Sequence, residues 1–128
     1  MELILDTHTF IWFVNGDKNL TTKAREAIEE YPSNFSYISI ASLWEMAIKI
    51  SLDKLEIRYP FEQILTQIYE NGFEILPITF EHVLVVSELP FHHRDPFDRL
   101  IVAQAMTEKM TIISKDESFD DYEVKRLW

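Results

Sequence analysis

The chain alternates short, wholly apolar runs with longer stretches in which apolar residues recur every three or four positions. Leu3-Ile4-Leu5, Phe35 to Ile38, Phe73 to Leu76 and Thr111-Ile112-Ile113-Ser114 have strand length and little polar alternation, as strands buried on both faces do. Glu123 to Leu127 reads as a last, edge strand. Between these runs the spacing predicts helices over Thr9 to Val14, over Thr21 to Tyr31 with Thr21 or Thr22 as the cap, and over Ile40 to about Leu52 with Leu43, Ala47 and Ile50 on one face. Further helices are expected over Phe61 to Tyr69, Phe80 to Leu89 and Pro96 to Glu108. Strands that alternate with helices need crossover connections, and these produce a parallel sheet. The expected fold class is α/β: a three-layer α/β/α sandwich around a central, mainly parallel sheet of four to five strands. In such a sheet the functional crevice lies at the carboxyl ends of the strands.

Composition sharpens this picture. With 128 residues, 47% of them hydrophobic, and only two glycines, the chain reads as one folded domain over residues 1–128. The absence of cysteine excludes disulfides, zinc–thiolate sites and a thiol nucleophile. No stretch approaches the ~20 apolar residues of a membrane helix, and Met1-Glu2-Leu3-Ile4-Leu5-Asp6 lacks the basic start of a signal peptide. The expected location is therefore cytoplasmic. The formal net charge of -10 opposes nucleic-acid binding by charge alone. Bound divalent cations would offset clustered carboxylates, and local basic residues would still line a substrate path.

Four carboxylates stand at the predicted strand ends or in the helices that follow. Asp6 comes directly after the first strand, where an ionised carboxylate costs several kcal/mol unless it is paired, hydrogen-bonded or metal-bound. It reads equally as the cap of the next helix. Glu45 closes Ser42-Leu43-Trp44-Glu45, and taken alone it is better explained as part of a capping box. In Asp95-Pro96-Phe97-Asp98, Asp95 and Pro96 suit the N-cap and first position of the long helix. Asp98 then falls at the third position, which suits the helix dipole as well as it suits a site. Asp116 follows the fourth strand and reads either as a turn residue or as a member of the site. Jointly, all four can reach one edge of the sheet, where their mutual repulsion would be resolved by a divalent cation. Oxygen-only ligation without cysteine selects Mg²⁺ or Mn²⁺, and such a site suits phosphoryl transfer.

At these residues the chain resembles the PIN-domain ribonucleases, and among them the VapC-like toxins of type II toxin–antitoxin pairs. The matching stretches are Leu5-Asp6-Thr7-His8, Ser39 through Trp44-Glu45, the run His93 to Ala105, and Ser114-Lys115-Asp116 with Phe119. The resemblance implies a parallel sheet flanked by helices, with Asp6, Glu45, Asp98 and Asp116 as the acids that bind one or two Mg²⁺ or Mn²⁺ ions. The implied activity is endonucleolytic hydrolysis of RNA. Implied partners are a homodimer mate and an antitoxin that binds over the active site.

Other residues offer narrower expectations. Asp6 and Asp98 are the expected direct ligands, while Glu45 and Asp116 bind directly or through water. Thr7 or Ser114 would hydrogen-bond a ligand carboxylate, or else the local backbone. Arg99 reads as a surface ion pair or a phosphate-steering residue, and Lys49, Lys54 and Arg58 as a solvated face or a basic edge beside Glu45. His93 is read as loop structure in preference to catalysis. Trp12 and Trp44 are expected in core or dimer contacts, with Trp12 and Phe13 hinting at an exposed apolar patch. Two rivals stand beside the nuclease. A haloacid-dehalogenase-like phosphatase needs a second Asp two residues after the first, where this chain has His8. A non-catalytic acidic domain that binds a basic partner and retains metal binding suits the net charge.

Overall fold

In the computed structural model, which describes residues 1–128, five strands form one sheet: β1 (Glu2–Leu5), β2 (Phe35–Ser39), β3 (Glu74–Leu76), β4 (Thr111–Ile113) and β5 (Lys125–Leu127). Their order is β3-β2-β1-β4-β5, and every neighbouring pair is parallel. The connections carry the helices α1 (Thr7–Asn15), α2 (Thr22–Glu29), α3 (Ile40–Ser51), α4 (Ile64–Glu70), α5 (Phe80–Glu88) and α6 (Pro96–Glu108).

The wholly apolar strands are explained by the two faces they serve. Successive residues of a strand point to opposite sides. Leu3 and Leu5 join Ile38 and Ile113 in a core with Phe10, Met46 and Ile68 from α1, α3 and α4. Ile4 and Ile112 join the opposite core with Ile101 and Val102 of α6 and with Phe119. The three-layer architecture follows, and it matches the expected fold class.

Several local expectations change. Phe61 to Tyr69 is not one helix: a 3₁₀ turn at Phe61–Gln63, opened by Pro60, precedes α4. On α3 the fully buried residues are Ala41, Ser42, Glu45 and Met46, whereas Leu43, Ala47 and Ile50 are half-buried. The buried stripe therefore carries polar groups toward α1 and α6. Trp12 and Phe13 are half-buried and both pack against the first core.

Arg99 departs furthest from expectation. It is buried, and it forms no surface ion pair. Its guanidinium donates to the backbone carbonyls of Pro90 (2.9 Å), Val86 (3.1 Å), Leu89 (3.2 Å) and His93 (3.5 Å), and it lies 4.1 Å over the Phe91 ring. One planar cation thus gathers the connection that leads from α5 into α6. A lysine there has no fork to span several carbonyls. Arg99→Lys is expected to lower the unfolding free energy by about 1.5–3 kcal/mol, the worth of one or two charged hydrogen bonds. Urea unfolding checks this, and a change within ~0.5 kcal/mol of wild type would refute the clasp.

Candidate metal centre

From β1 the chain places β2 and β3 on one side of the sheet, then β4 and β5 on the other. The strand order therefore reverses between β1 and β4, which is where open parallel sheets form their crevice. Asp6 follows β1, and Ser114 to Asp116 follow β4. The two strand ends are tied together: the Asp6 N–H donates to the Ile113 carbonyl (3.3 Å), and so does the Thr9 hydroxyl (2.8 Å).

Asp6 is the cap of α1, and both of its oxygens are engaged. One carboxylate oxygen accepts the Thr9 N–H at 2.9 Å, capping α1. The other accepts a short hydrogen bond from the Ser114 hydroxyl. Glu45 is no capping-box residue. The cap of α3 is Ser39, whose hydroxyl accepts the Ala41 N–H, so Ser42 lies inside the helix. Glu45 Oε1 instead accepts from the Thr7 hydroxyl at 2.7 Å, and Oε2 pairs with Lys49 Nζ at 2.8 Å. Both expected hydroxyls thus hold candidate carboxylates, Thr7 on Glu45 and Ser114 on Asp6. Of the three cations expected beside Glu45, only Lys49 is there. Arg58 sits near Gly16 at the far end of α1, and Lys54 has no ion-pair partner.

Asp95 caps α6 by accepting the Phe97 N–H at 2.8 Å and the Asp98 N–H at 3.4 Å, with Pro96 at the first position. Asp98 is then the third residue of the helix, as expected. Its carboxylate accepts no hydrogen bond from any protein donor, unlike those of Asp6, Glu45 and Asp116. Burial, then the neighbouring charges of Asp95, Asp6 and Glu45, push its pKa up to about 7, against the opposing pull of His93. Asp116 behaves oppositely. Burial would raise its pKa, but the hydrogen bonds from His93 and Ser118 outweigh burial and hold it below the usual carboxylate range.

His93, read as loop structure from the sequence, is buried and contacts a candidate acid. Its Nε2 lies 2.8 Å from Asp116 Oδ2, and an ionised carboxylate can only accept, so Nε2 carries the proton. The Tyr122 hydroxyl accepts the His93 backbone N–H (2.9 Å) and faces Nδ1 (3.2 Å). The ring stacks on Phe119 at 4.6 Å. Ligating atoms of His93, Asp98 and Asp116 lie within 4.8 Å of one another. With both ring nitrogens engaged, however, His93 orients Asp116 and offers no lone pair of its own. Its place in His93-Arg94-Asp95-Pro96, just before the α6 cap, was the available sequence signal; the partner Tyr122 is distant in sequence.

An unpartnered, half-buried carboxylate whose neighbours are also acids is the donor chemistry that suits a hard divalent cation. Of the four expected acids, Asp98 and Asp116 approach within 4.8 Å of each other beside His93, whereas Asp6 and Glu45 reach Asp98 through their charge; the hydroxyls and the imidazole fix how the acids present their oxygens.

A family model described as "PIN domain" matches residues 3–125. No curated protein matches the chain by sequence. Among solved structures, VapBC2 from Rickettsia felis, bound to a DNA fragment from its promoter, is similar over 99% of this chain and 98% of its own at 18% identity and a TM-score of 0.72. FitAcB from Neisseria gonorrhoeae is similar over 98% and 96% at 18% identity and a TM-score of 0.60. The PIN domain endonuclease Utp24 is similar over 93% and 74% at 21% identity and a TM-score of 0.50.

The Asp98 pKa of about 7, raised from 3.8, has a consequence for stability. Between those values the native state binds more protons than the unfolded state, so stability from this group falls as pH rises from about 4 to 7. Asp116 works in the other sense: its lowered pKa adds stability above the unfolded value, which is lost on acidification. In EDTA at pH 8, Asp98→Asn is therefore expected to melt several degrees above wild type, with the difference closing toward pH 4. Thermal denaturation across pH reads this directly. An Asp98→Asn variant less stable than wild type at pH 8 would contradict the crowding of acids.

Proposed function

The chain belongs to the PIN-domain family, a family of nucleases, and from that membership we propose that it is a Mg²⁺- or Mn²⁺-dependent endoribonuclease acting as the cytoplasmic, homodimeric toxin of a toxin–antitoxin pair. The observation that carries this reading is the Asp98 carboxylate, left without a donor among Asp6, Glu45 and Asp116 where the strand order reverses. A divalent cation held by these acids would supply positive charge for the phosphodiester and would lower the pKa of water.

The protein's own residues have separable tasks. Asp6 and Asp98 stand on the ends of rigid elements and set the position of the ion. Ser114 and Thr7 hold Asp6 and Glu45 by their hydroxyls. Lys49 neutralises Glu45 from the solvent side, which limits the total charge that the ion must balance. His93 keeps Asp116 aimed and ionised. The likeness to the VapBC2 and FitAcB complexes supports an antitoxin as the protein partner.

Incubation of the protein with structured and unstructured RNAs, in Mg²⁺, Mn²⁺ or EDTA, tests the activity. Cleavage is expected to require metal and to fall by at least about 100-fold in Asp6→Asn and Asp98→Asn, the scale on which a main electrostatic contribution is lost. Wild type that binds Mn²⁺ but cleaves no RNA would instead favour a partner-binding domain. A second measurement concerns His93. His93→Phe keeps the ring stacking and loses the Nε2–H donor, so Mn²⁺ affinity by calorimetry is expected to weaken about 10- to 100-fold. His93→Gln should recover part of the loss, and unchanged affinity in His93→Phe would refute the orienting role.

A further inference from the structure

Beside the acids lies an open cleft of about 740 Å³, within the size range of small-ligand sites (~300–1,000 Å³). It shares Asp6, Ser114 and Asp116 with the metal centre and continues past them over the ends of β4 and β5. Its far wall is aromatic. The rings of His8 and Trp12 lie 5.9 Å apart at 44°, and those of Trp12 and Trp128 5.8 Å apart at 54°. Trp12 and Trp128 are only half-buried, and His8 is exposed, so ring surface faces the cleft.

The cleft has two cations, one engaged and one available. Arg126 forms two 3.0 Å bonds to Asp120 and a third, at 3.1 Å, to the Ser114 carbonyl. Lys115 is exposed and without an ion-pair partner, as is His8. A ligand with many anionic groups would find little to neutralise it here. A ligand with one phosphate and one flat ring would find both a cation and an aromatic wall. In a protein of net charge -10, contact by stacking is also the route to affinity that overall charge opposes least, because it does not depend on basic residues.

We propose that this cleft is a nucleotide subsite, in which an unpaired base packs against Trp128 and Trp12 while Lys115 meets its phosphate and the next phosphodiester reaches the acids. The inference rests on the nuclease reading and extends it: the substrate is RNA with splayed, unstacked bases, since a base held in a duplex has no free face to offer.

The test measures binding in EDTA, where no metal-dependent cleavage intervenes. The probes are a short, fluorescently labelled oligouridylate and an abasic ribose-phosphate chain of the same length. Wild type is expected to bind the base-bearing chain about tenfold more tightly, the scale of one stacked base. Its tryptophan emission should quench on binding. Trp44→Phe should keep the quench, which locates the signal away from α3. Trp128→Ala should bring the two affinities together, and Trp128→Phe, which restores a ring, should recover much of the preference. If Trp128→Ala fails to fold, the wild-type comparison and Trp128→Phe still decide.

Equal binding of the two chains by wild type, no binding of either, or a full base preference retained in folded Trp128→Ala would overturn the subsite. Its failure is distinguishable from failure of the nuclease reading. Metal-dependent cleavage with no base preference in binding removes the subsite alone. Base-dependent binding without cleavage of any RNA in Mn²⁺ removes the nuclease and leaves the subsite.

Discussion

Parallel pairing of β1 with β4 brings the chain back beside its own beginning after more than a hundred residues, in the register Leu5 to Ile113. Everything at the site depends on that return. It sets Asp6 against Ser114, joins the two strand ends through the Ile113 carbonyl, and carries Asp116 beside His93 and Asp98. The cost is electrostatic. Carboxylates delivered by separate segments must share one small region, and their repulsion is expressed at Asp98, the acid with no donor of its own.

The surrounding structure reduces that repulsion selectively. Asp6 is shared between a helix N-terminus and a hydroxyl. Glu45 is shared between Thr7 and Lys49. Asp116 is held by His93 and by the Ser118 N–H. Each of these acids would keep its place with no ion bound. Asp98 has no such partner, so in the proposed metal site it is the carboxylate with most to gain from a cation, beside three acids that are already held in place. Such preorganisation lowers the reorganisation required when an ion binds.

Much of this was legible in the sequence because the signals were local. Apolar runs of three or four residues announced the strands, and Asp95-Pro96 announced the start of α6. The cap reading of Asp6 holds, and it leaves room for the other, because a carboxylate has two oxygens: one takes the Thr9 N–H and the other the Ser114 hydroxyl. What escaped was carried by contacts between distant segments. Ser42 reads as the cap in sequence, and only the β2–α3 junction moves the cap to Ser39. The partners of Arg99 are backbone carbonyls, which leave no mark on residue identity. His93 owes its role to Tyr122 and Asp116, 29 and 23 residues further on. The aromatic wall joins Trp12 of α1 to Trp128 beyond β5, a pairing that no helical or strand periodicity encodes.

The net charge of -10 looks unsuited to RNA only if the charge acts as a whole. At physiological ionic strength exposed charges more than about 8 Å apart are largely screened, so a phosphate in the cleft responds to the groups that line it. Of the acids there, Asp6 and Asp116 are already engaged by donors, and an ion at Asp98 would offset both. The negative surface elsewhere then acts mainly during approach, slowing encounter with polyanions in general. A protein arranged in this way gains little from indiscriminate attraction to nucleic acid. It depends on what the cleft contacts directly, which is the condition under which a small nuclease can be selective.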